Sequence, residues 1–396
     1  MGDPKPRLGA GPGATAVTRE DRAHLRRALE LAEGGRGRVS PNPLVGAVVV
    51  RDGEPEPIGE GFHAELGGAH AERAALDDCR RRGEDPAGAT LYVTLEPCAH
   101  HGRQPPCTEA VLEAGVARVV YASEDPTEKA SGRGPGILRD EGISVELAEG
   151  AEAAEARRLN QGFRKHARTG RPLVVFKVAM SLDGRVAAAG GEPIWISGER
   201  SRGLVHRWRG ELDAVCVGIG TALADDPLLT ARAEGAARQP RRVVFDSAAR
   251  LPLDSHLVRS AGDAPLIVVT SPEAPAERVA ALESAGVERI VASGTASADR
   301  ARAALDELGR RDVQSLLLEG GPRLAASFFD AGEIDEARLF IAPLLLGGAD
   351  APPVIGGGDA QNAQDAGRVA EALRPLATTT ELVGEDLLVR ARLREW

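Results

Sequence analysis

A chain of 396 residues is too long for one ordinary core and asks for two domains or more. It is 42% hydrophobic, enough to bury sizeable cores, and its 49 Lys and Arg against 59 Asp and Glu leave a net charge of −10. That balance argues against the broad basic face a nucleic-acid partner needs, though a few local arginines still suffice for a small phosphorylated ligand.

The first twenty residues are rich in Gly and Pro and lack the apolar stretch of a secretory signal, so residues 1–19 read as a disordered tail. No run of about 18 apolar residues is present to span a membrane. Four cysteines in so long a chain make no disulfide framework, and the expected location is the cytoplasm. Thr18 can cap a first helix from Asp21 to about Glu33, with Leu25, Ala28, Leu29 and Ala32 at i, i+3, i+4 and i+7. An apolar run Leu44–Val50 follows, then a helix from His70 to Arg82 and a strand Leu91–Leu95. A short helix Cys107–Glu113, a strand Ala117–Ala122 and a closing helix within Ala151–Ala167 complete the first half. The segment Arg168-Thr-Gly-Arg-Pro172 is polar, short and broken by Gly and Pro, which predicts a boundary between domains over 20–167 and 172–396. A second strand–helix series then begins, with strands at Leu173–Ala179, Ala214–Val217, Arg242–Asp246, Leu266–Thr270 and Ser315–Leu318. Strands alternating with helices predict an α/β fold whose sheets are mixed or parallel and covered on both faces.

The chemistry-bearing segment is His70-Ala-Glu72, followed by Glu96-Pro97-Cys98 and then Cys107. One imidazole and two thiolates are a donor set that Zn²⁺ favours, and three protein ligands leave a fourth position for water. Zinc lowers the pKa of such a water to about 7, and a carboxylate two residues from the histidine can shuttle its proton to a leaving ammonia. This is the H-x-E…P-C deaminase pattern with a difference: eight residues, not two, separate Cys98 from Cys107. Glu72 shares a helix face with Ala75, Leu76 and Cys79, an apolar setting that raises a carboxylate's pKa and suits proton transfer. Positions 70 and 72 lie about 200° apart on a regular helix, so both reach one metal only if His70 sits at a frayed first turn. A closed structural zinc site would need a fourth protein ligand, for which His63, His100 and His101 are the candidates. Cys79 and Cys216 fall at apolar periodic positions and are expected in the core. In the second half, Gly218-x-Gly220 is a weak dinucleotide signal, because Leu223 stands at the third position. Gly320-Gly321-Pro322 is a better one: proline at the first helical position after two glycines leaves backbone N–H groups free for phosphate.

The runs Pro41-Asn-Pro-Leu-Val-Gly-Ala47, Gly61-Phe-His63, His70-Ala-Glu72 and Thr94–Cys107, with His100-His-Gly-Arg103 inside the last, resemble the deaminase half of the bifunctional deaminase/reductase family of riboflavin biosynthesis. Lys177–Arg185, Gly218–Thr230 and Glu319–Pro322 are similar to that family's reductase half, whose fold is like that of dihydrofolate reductase. The resemblance implies a cytidine-deaminase-like α/β/α domain followed by a dihydrofolate-reductase-like α/β domain, a small phosphorylated pyrimidine as substrate, and a homo-oligomer. It makes His70, Cys98 and Cys107 the Zn²⁺ ligands and Glu72 the proton shuttle. It turns Asn42, His63, His101 and Arg103 toward the first substrate. It gives Trp195, Thr221, Asp225, Ser247 and Gly321 to NADPH, and Arg209, Leu229, Arg232 and Glu319 to the ribose phosphate, with Lys177 as an acid or orienting group. Three positions depart from the family pattern: Thr127 replaces an asparagine, Glu128 a usual proline, and Pro193 stands where a serine is common. Two other readings stay open at this level: a nucleoside or tRNA deaminase with an unrelated second domain, and a non-enzymatic zinc module.

Overall fold

The computed structural model describes residues 17–102, 104–128, 130–188, 195–356 and 372–396. The chain divides into two compact units, the first ending at Arg168 and the second beginning at Thr169. Among the described residues no helix is long and apolar enough to cross a membrane.

The first unit runs α1 (Arg19–Ala32), β1 (Gly46–Val50), β2 (Gly59–Phe62), α2 (Ala71–Arg82), β3 (Thr90–Val93), α3 (Cys107–Glu113), β4 (Arg118–Tyr121), α4 (Arg133–Asp140), β5 (Ser144–Leu147), α5 (Ala151–Leu159) and α6 (Gln161–Thr169). Helix α1 starts two residues before the expected Asp21, because Thr18 and Asp21 form a reciprocal capping box that fixes the first turn there. Of the expected tail, residues 1–16 lie outside the described residues. The strands form a five-stranded sheet in the order β2-β1-β3-β4-β5. Strand β1 is antiparallel to both neighbours, while β3, β4 and β5 are parallel. Ala47 and Val49 face a core shared with α2, α3 and α4, and Val48 and Val50 face one shared with α1 and α5. That alternation explains the unbroken apolar run of β1: both of its faces are covered. Strand β2 escaped sequence reading because its Gly-Glu-Gly-Phe has little strand propensity. Its glycine is there for close approach, since a Cβ at Gly61 would sit 2.3 Å from the backbone nitrogen of Ala75 on α2.

The second unit runs β6 (Leu173–Ser181), α7 (Glu199–Glu211), β7 (Ala214–Gly218), α8 (Ile219–Asp225), β8 (Arg241–Phe245), α9 (His256–Arg259), β9 (Leu266–Thr270), α10 (Ala276–Ser284), β10 (Glu288–Val291), α11 (Ser297–Arg310), β11 (Ser315–Leu318), α12 (Pro322–Asp330), β12 (Glu336–Ala342), β13 (Ala377–Val383) and β14 (Asp386–Arg392). Its nine-stranded sheet has the order β10-β9-β8-β7-β11-β6-β12-β14-β13. Strands β6 to β12 are parallel, and β14 and β13 close the sheet antiparallel. Val174, Phe176 and Val178 enter one core and Val175 the other, so β6 again reads as a continuous apolar run. Cys79 and Cys216 lie in these cores, as their spacing predicts.

Candidate active sites

In the first unit, three chain segments converge on one point. Helix α2 begins at Ala71, so His70 is its N-cap with extended backbone (φ −70°, ψ 160°) and lies off the helical spiral that carries Glu72. This resolves the angular conflict between positions 70 and 72. The Nδ1 of His70 is 3.2 Å from Cys107 Sγ and 3.6 Å from Cys98 Sγ. Cys107 opens α3, and its backbone N–H donates to Cys98 Sγ at 3.3 Å. One ligand atom from each of the three lies within 4.8 Å of the others. A Cβ at Gly134 would meet the carbonyl oxygen of Pro97 at 1.9 Å, so only glycine lets α4 press against the Cys98 loop.

The donor set fits a divalent cation. Hydrogen bonding from the Cys107 thiol, and then from His70, draws Cys98 down to about 4, while the same contact and burial push Cys107 well up. Two thiols this close share one proton, and a cation among them is what lets both ionise. Glu72 is buried, and desolvation followed by the nearby Cys98 charge pushes its carboxyl up to about 7.

A cavity of about 360 Å³ opens beside this cluster. Asn42 and His63 line it together. The carbonyl of Ala69 can only accept, so His63 Nδ1 carries the proton donated to it at 2.9 Å, and Nε2 accepts from Asn42 Nδ2 at 3.0 Å. Thr127 also lines the cavity, with its N–H and hydroxyl both donated to Asp125 Oδ1 at 2.8 and 2.6 Å. His101 stands away from the cavity, 75% exposed and 3.7 Å from Glu109, whereas His100 is among the lining residues. Arg103 lies outside the described residues. Sequence reasoning passed over Glu96, a buried cavity residue pushed up to about 7 by desolvation despite backbone N–H bonds from Asp125, Gly132 and Gly134. Its signal was its place directly before Pro97-Cys98.

The second unit holds a cavity of about 1020 Å³ at the carboxyl ends of β6, β7 and β11, the edge where parallel sheets bind ligands. It brings together Lys177, Trp195, Arg209, Thr221, Asp225, Leu229, Arg232, Glu319 and Gly321. Ser247 follows β8 and is not among the lining residues; Pro193 lies outside the described residues. Arg209 grips Glu319 through Nε and Nη2 at 2.7 and 3.0 Å, and Lys177 Nζ stands 3.7 Å from the same carboxylate. Burial pushes Lys177 down, partly offset by Glu319. For Glu319 burial acts upward, but Arg209 and Lys177 outweigh it and hold the carboxyl below its ordinary range. His206, absent from the sequence reading, donates from Nδ1 to the carbonyl of Thr230 at 3.1 Å and accepts from Arg232 Nη2 at 3.0 Å, which orients that guanidinium. Gly321 caps α12 with no side-chain hydrogen bond and with Pro322 in the first turn, leaving first-turn N–H groups for an anion. Such a terminus, opening on the cavity, suits a phosphate group.

Residues 18–123 match the family model for the cytidine and deoxycytidylate deaminase zinc-binding region, and residues 172–387 match the RibD C-terminal domain. The riboflavin biosynthesis protein RibD of Actinobacillus pleuropneumoniae is 39% identical, over 96% of this chain and 96% of its own. That of Escherichia coli strain K12 is 40% identical, over 83% and 89%. Among solved structures, Acinetobacter baumannii RibD superposes with a TM-score of 0.82 at 36% identity, covering 95% of this chain and 99% of the other. The Thermotoga maritima diaminohydroxyphosphoribosylaminopyrimidine deaminase/5-amino-6-(5-phosphoribosylamino)uracil reductase gives 0.81 at 35%, with the same coverage. With both halves matched and their relatives aligned along almost the whole length, the chain belongs to the RibD family: a bifunctional enzyme of riboflavin biosynthesis that joins a zinc-binding, cytidine-deaminase-like half to an NADPH-dependent, dihydrofolate-reductase-like half.

Proposed function

We propose that the two cavities divide the two reactions, with His70, Cys98 and Cys107 holding zinc, Glu72 moving protons, and the second cavity taking NADPH and the sugar. The first substrate is 2,5-diamino-6-ribosylamino-4(3H)-pyrimidinone 5′-phosphate, and the final product is 5-amino-6-ribitylaminouracil 5′-phosphate. When bound, zinc supplies a nucleophile at neutral pH and NADPH supplies hydride. Glu72 takes the proton that water gives up and returns it to the departing amino nitrogen, so water and amine become carbonyl and ammonia. A carboxyl poised near 7 does both at little cost. Asn42 and the neutral His63 form one wall that orients the pyrimidine. Of the two histidines in the loop, His100 rather than His101 lines the wall beside the pyrimidine, and Arg103 remains a proposed contact for the same substrate.

In the second cavity Thr221, Asp225, Trp195 and Gly321 hold the cofactor, with Ser247 beyond its rim. Arg209 is tied to Glu319, so Arg232, set by His206, is the cation free to meet the sugar phosphate, with Leu229 as the wall beside it. Lys177 holds the proton that the opened sugar takes up when C1′ is reduced. A cytoplasmic location is supported by four free cysteines, and the family resemblance supports a homo-oligomer.

The observation that carries this reading is the convergence of His70, Cys98 and Cys107 beside a buried glutamate. Purified protein given the diaminopyrimidine phosphate should release ammonia without NADPH and form the ribityl product only with it. Failure to release ammonia from that substrate overturns the reading.

A further inference from the structure

We propose that Arg250, presented by the turn after β8, reads the 2′-phosphate that distinguishes NADPH from NADH. The proposal rests on the cofactor placement above. The order of strands carries it. Along the carboxyl edge the sheet runs β6, β11, β7, β8. Lys177, on β6, marks the reacting end, and the uncapped N-terminus of α12, directly after β11, marks the diphosphate. The adenosine half then extends the other way, across β7 toward β8. Gly218 at the end of β7 pairs in register with Phe245 at the end of β8, so the turn that follows β8 is level with the start of α8, which carries Thr221 and Asp225.

That turn is built to present a cation. Asp246 is wholly buried and accepts the N–H of Leu251 at 2.8 Å, with further backbone bonds from Arg250 and Ala248. Ala249 takes a left-handed φ of 53° to close the loop. From outside, the Arg278 guanidinium braces the same turn by donating to the carbonyls of Ala249 and Leu251 at 3.1 and 3.0 Å. Arg278 is thereby spent, and the loop after β9 brings an acid, Glu273. Arg250 is different: 59% exposed, with one ionic contact, 3.7 Å from Asp246 Oδ1 and too long for a hydrogen bond. A braced turn holding one uncommitted guanidinium fork is the arrangement that a phosphate dianion rewards, because little ordering remains to be done on binding. Ser247, exposed on the same turn, adds a hydroxyl.

The test uses the full chain and two fragments of the cofactor, adenosine 2′,5′-bisphosphate and 5′-AMP, titrated calorimetrically. The wild type should bind the bisphosphate more tightly than 5′-AMP. Arg250→Ala should weaken the bisphosphate about 10- to 100-fold, the scale of a charge-assisted hydrogen bond, and leave 5′-AMP unchanged, which also shows that the fold is intact. In parallel, its KM for NADPH should rise while its KM for NADH stays put. Equal binding of the two fragments by wild type, or an unchanged ratio in Arg250→Ala, overturns the proposal. Gly321→Val separates this from the cofactor placement: it should impair NADPH and NADH alike. Normal binding of both by Gly321→Val would sink the placement itself, whereas their loss with an unaltered Arg250→Ala would sink only the role of Arg250.

Discussion

Arg209 and Glu319, 110 positions apart, meet in a two-point ion pair of 2.7 and 3.0 Å whose side chains are only 12% and 9% exposed. The same carboxylate stands 3.7 Å from Lys177 Nζ, so one anion serves two cations. Glu319→Gln should leave two cations facing each other, push the Lys177 ammonium further down, and cut reduction by roughly 100-fold or more. Deamination by the same protein should be unaffected, because every residue proposed for that reaction belongs to the other unit. Parallel assays of ammonia release and NADPH oxidation check this, and equal losses in both would contradict it.

Cys107→Ser should lose most of the bound zinc, since a hard hydroxyl replaces a thiolate in the donor set. Metal analysis of the purified variant reads the outcome directly. Zinc content equal to wild type would remove Cys107 from the ligand set.

Glu72→Gln keeps the shape of the side chain and removes its proton chemistry. Zinc content and the reductase rate should stay at wild-type levels while ammonia release falls by about 10²–10⁴-fold. Near-normal deamination with zinc in place would refute the shuttle.

Chelation should separate the two activities of the intact enzyme. Every proposed zinc donor lies before Arg168, where the first unit ends. Removing the metal should therefore abolish ammonia release and leave reduction of the already deaminated ribosylaminouracil phosphate running. A zinc requirement for that second assay would argue against the division of labour.

Asp21 governs the acid stability of the first unit. Burial by itself would raise its pKa, but bonds from Arg118, the Thr18 backbone and Tyr92 outweigh it and hold the carboxyl well below its usual range. A depressed folded-state pKa means stability that is fully present above about pH 4, where an unfolded Asp is already ionised, and lost as pH falls toward the folded value. Asp21→Asn should cost about 3 kcal/mol at pH 7, the scale for breaking a buried pair. The gap to wild type should narrow below pH 4, and thermal unfolding at pH 7 and pH 3 measures it. A constant gap would show that ionisation of Asp21 is not the cause.

Local sequence determined what local physics can reach. The donor types and order His70, Glu72, Cys98 and Cys107, the apolar face that buries Glu72, and the alternating strands and helices of both halves follow from residue chemistry and from periods of 3.6 and 2. Sheet order is another matter. Strand β11 slots between β6 and β7 although more than ninety residues of chain separate it from either, and only that insertion puts Glu319 between Lys177 and Arg209. Pairings of such separation depend on which apolar faces find each other in three dimensions, and no window of sequence holds that information. The same limit hid the choice between adjacent histidines: the helical period gives no direction inside the loop from Cys98 to Cys107, and the packed loop lines the cavity with His100 and exposes His101. Glu96, His206 and Arg250 were silent for a related reason, since each acquires its environment from segments distant in the chain: the Asp125–Gly134 loop, Arg232, and the turn that Arg278 braces.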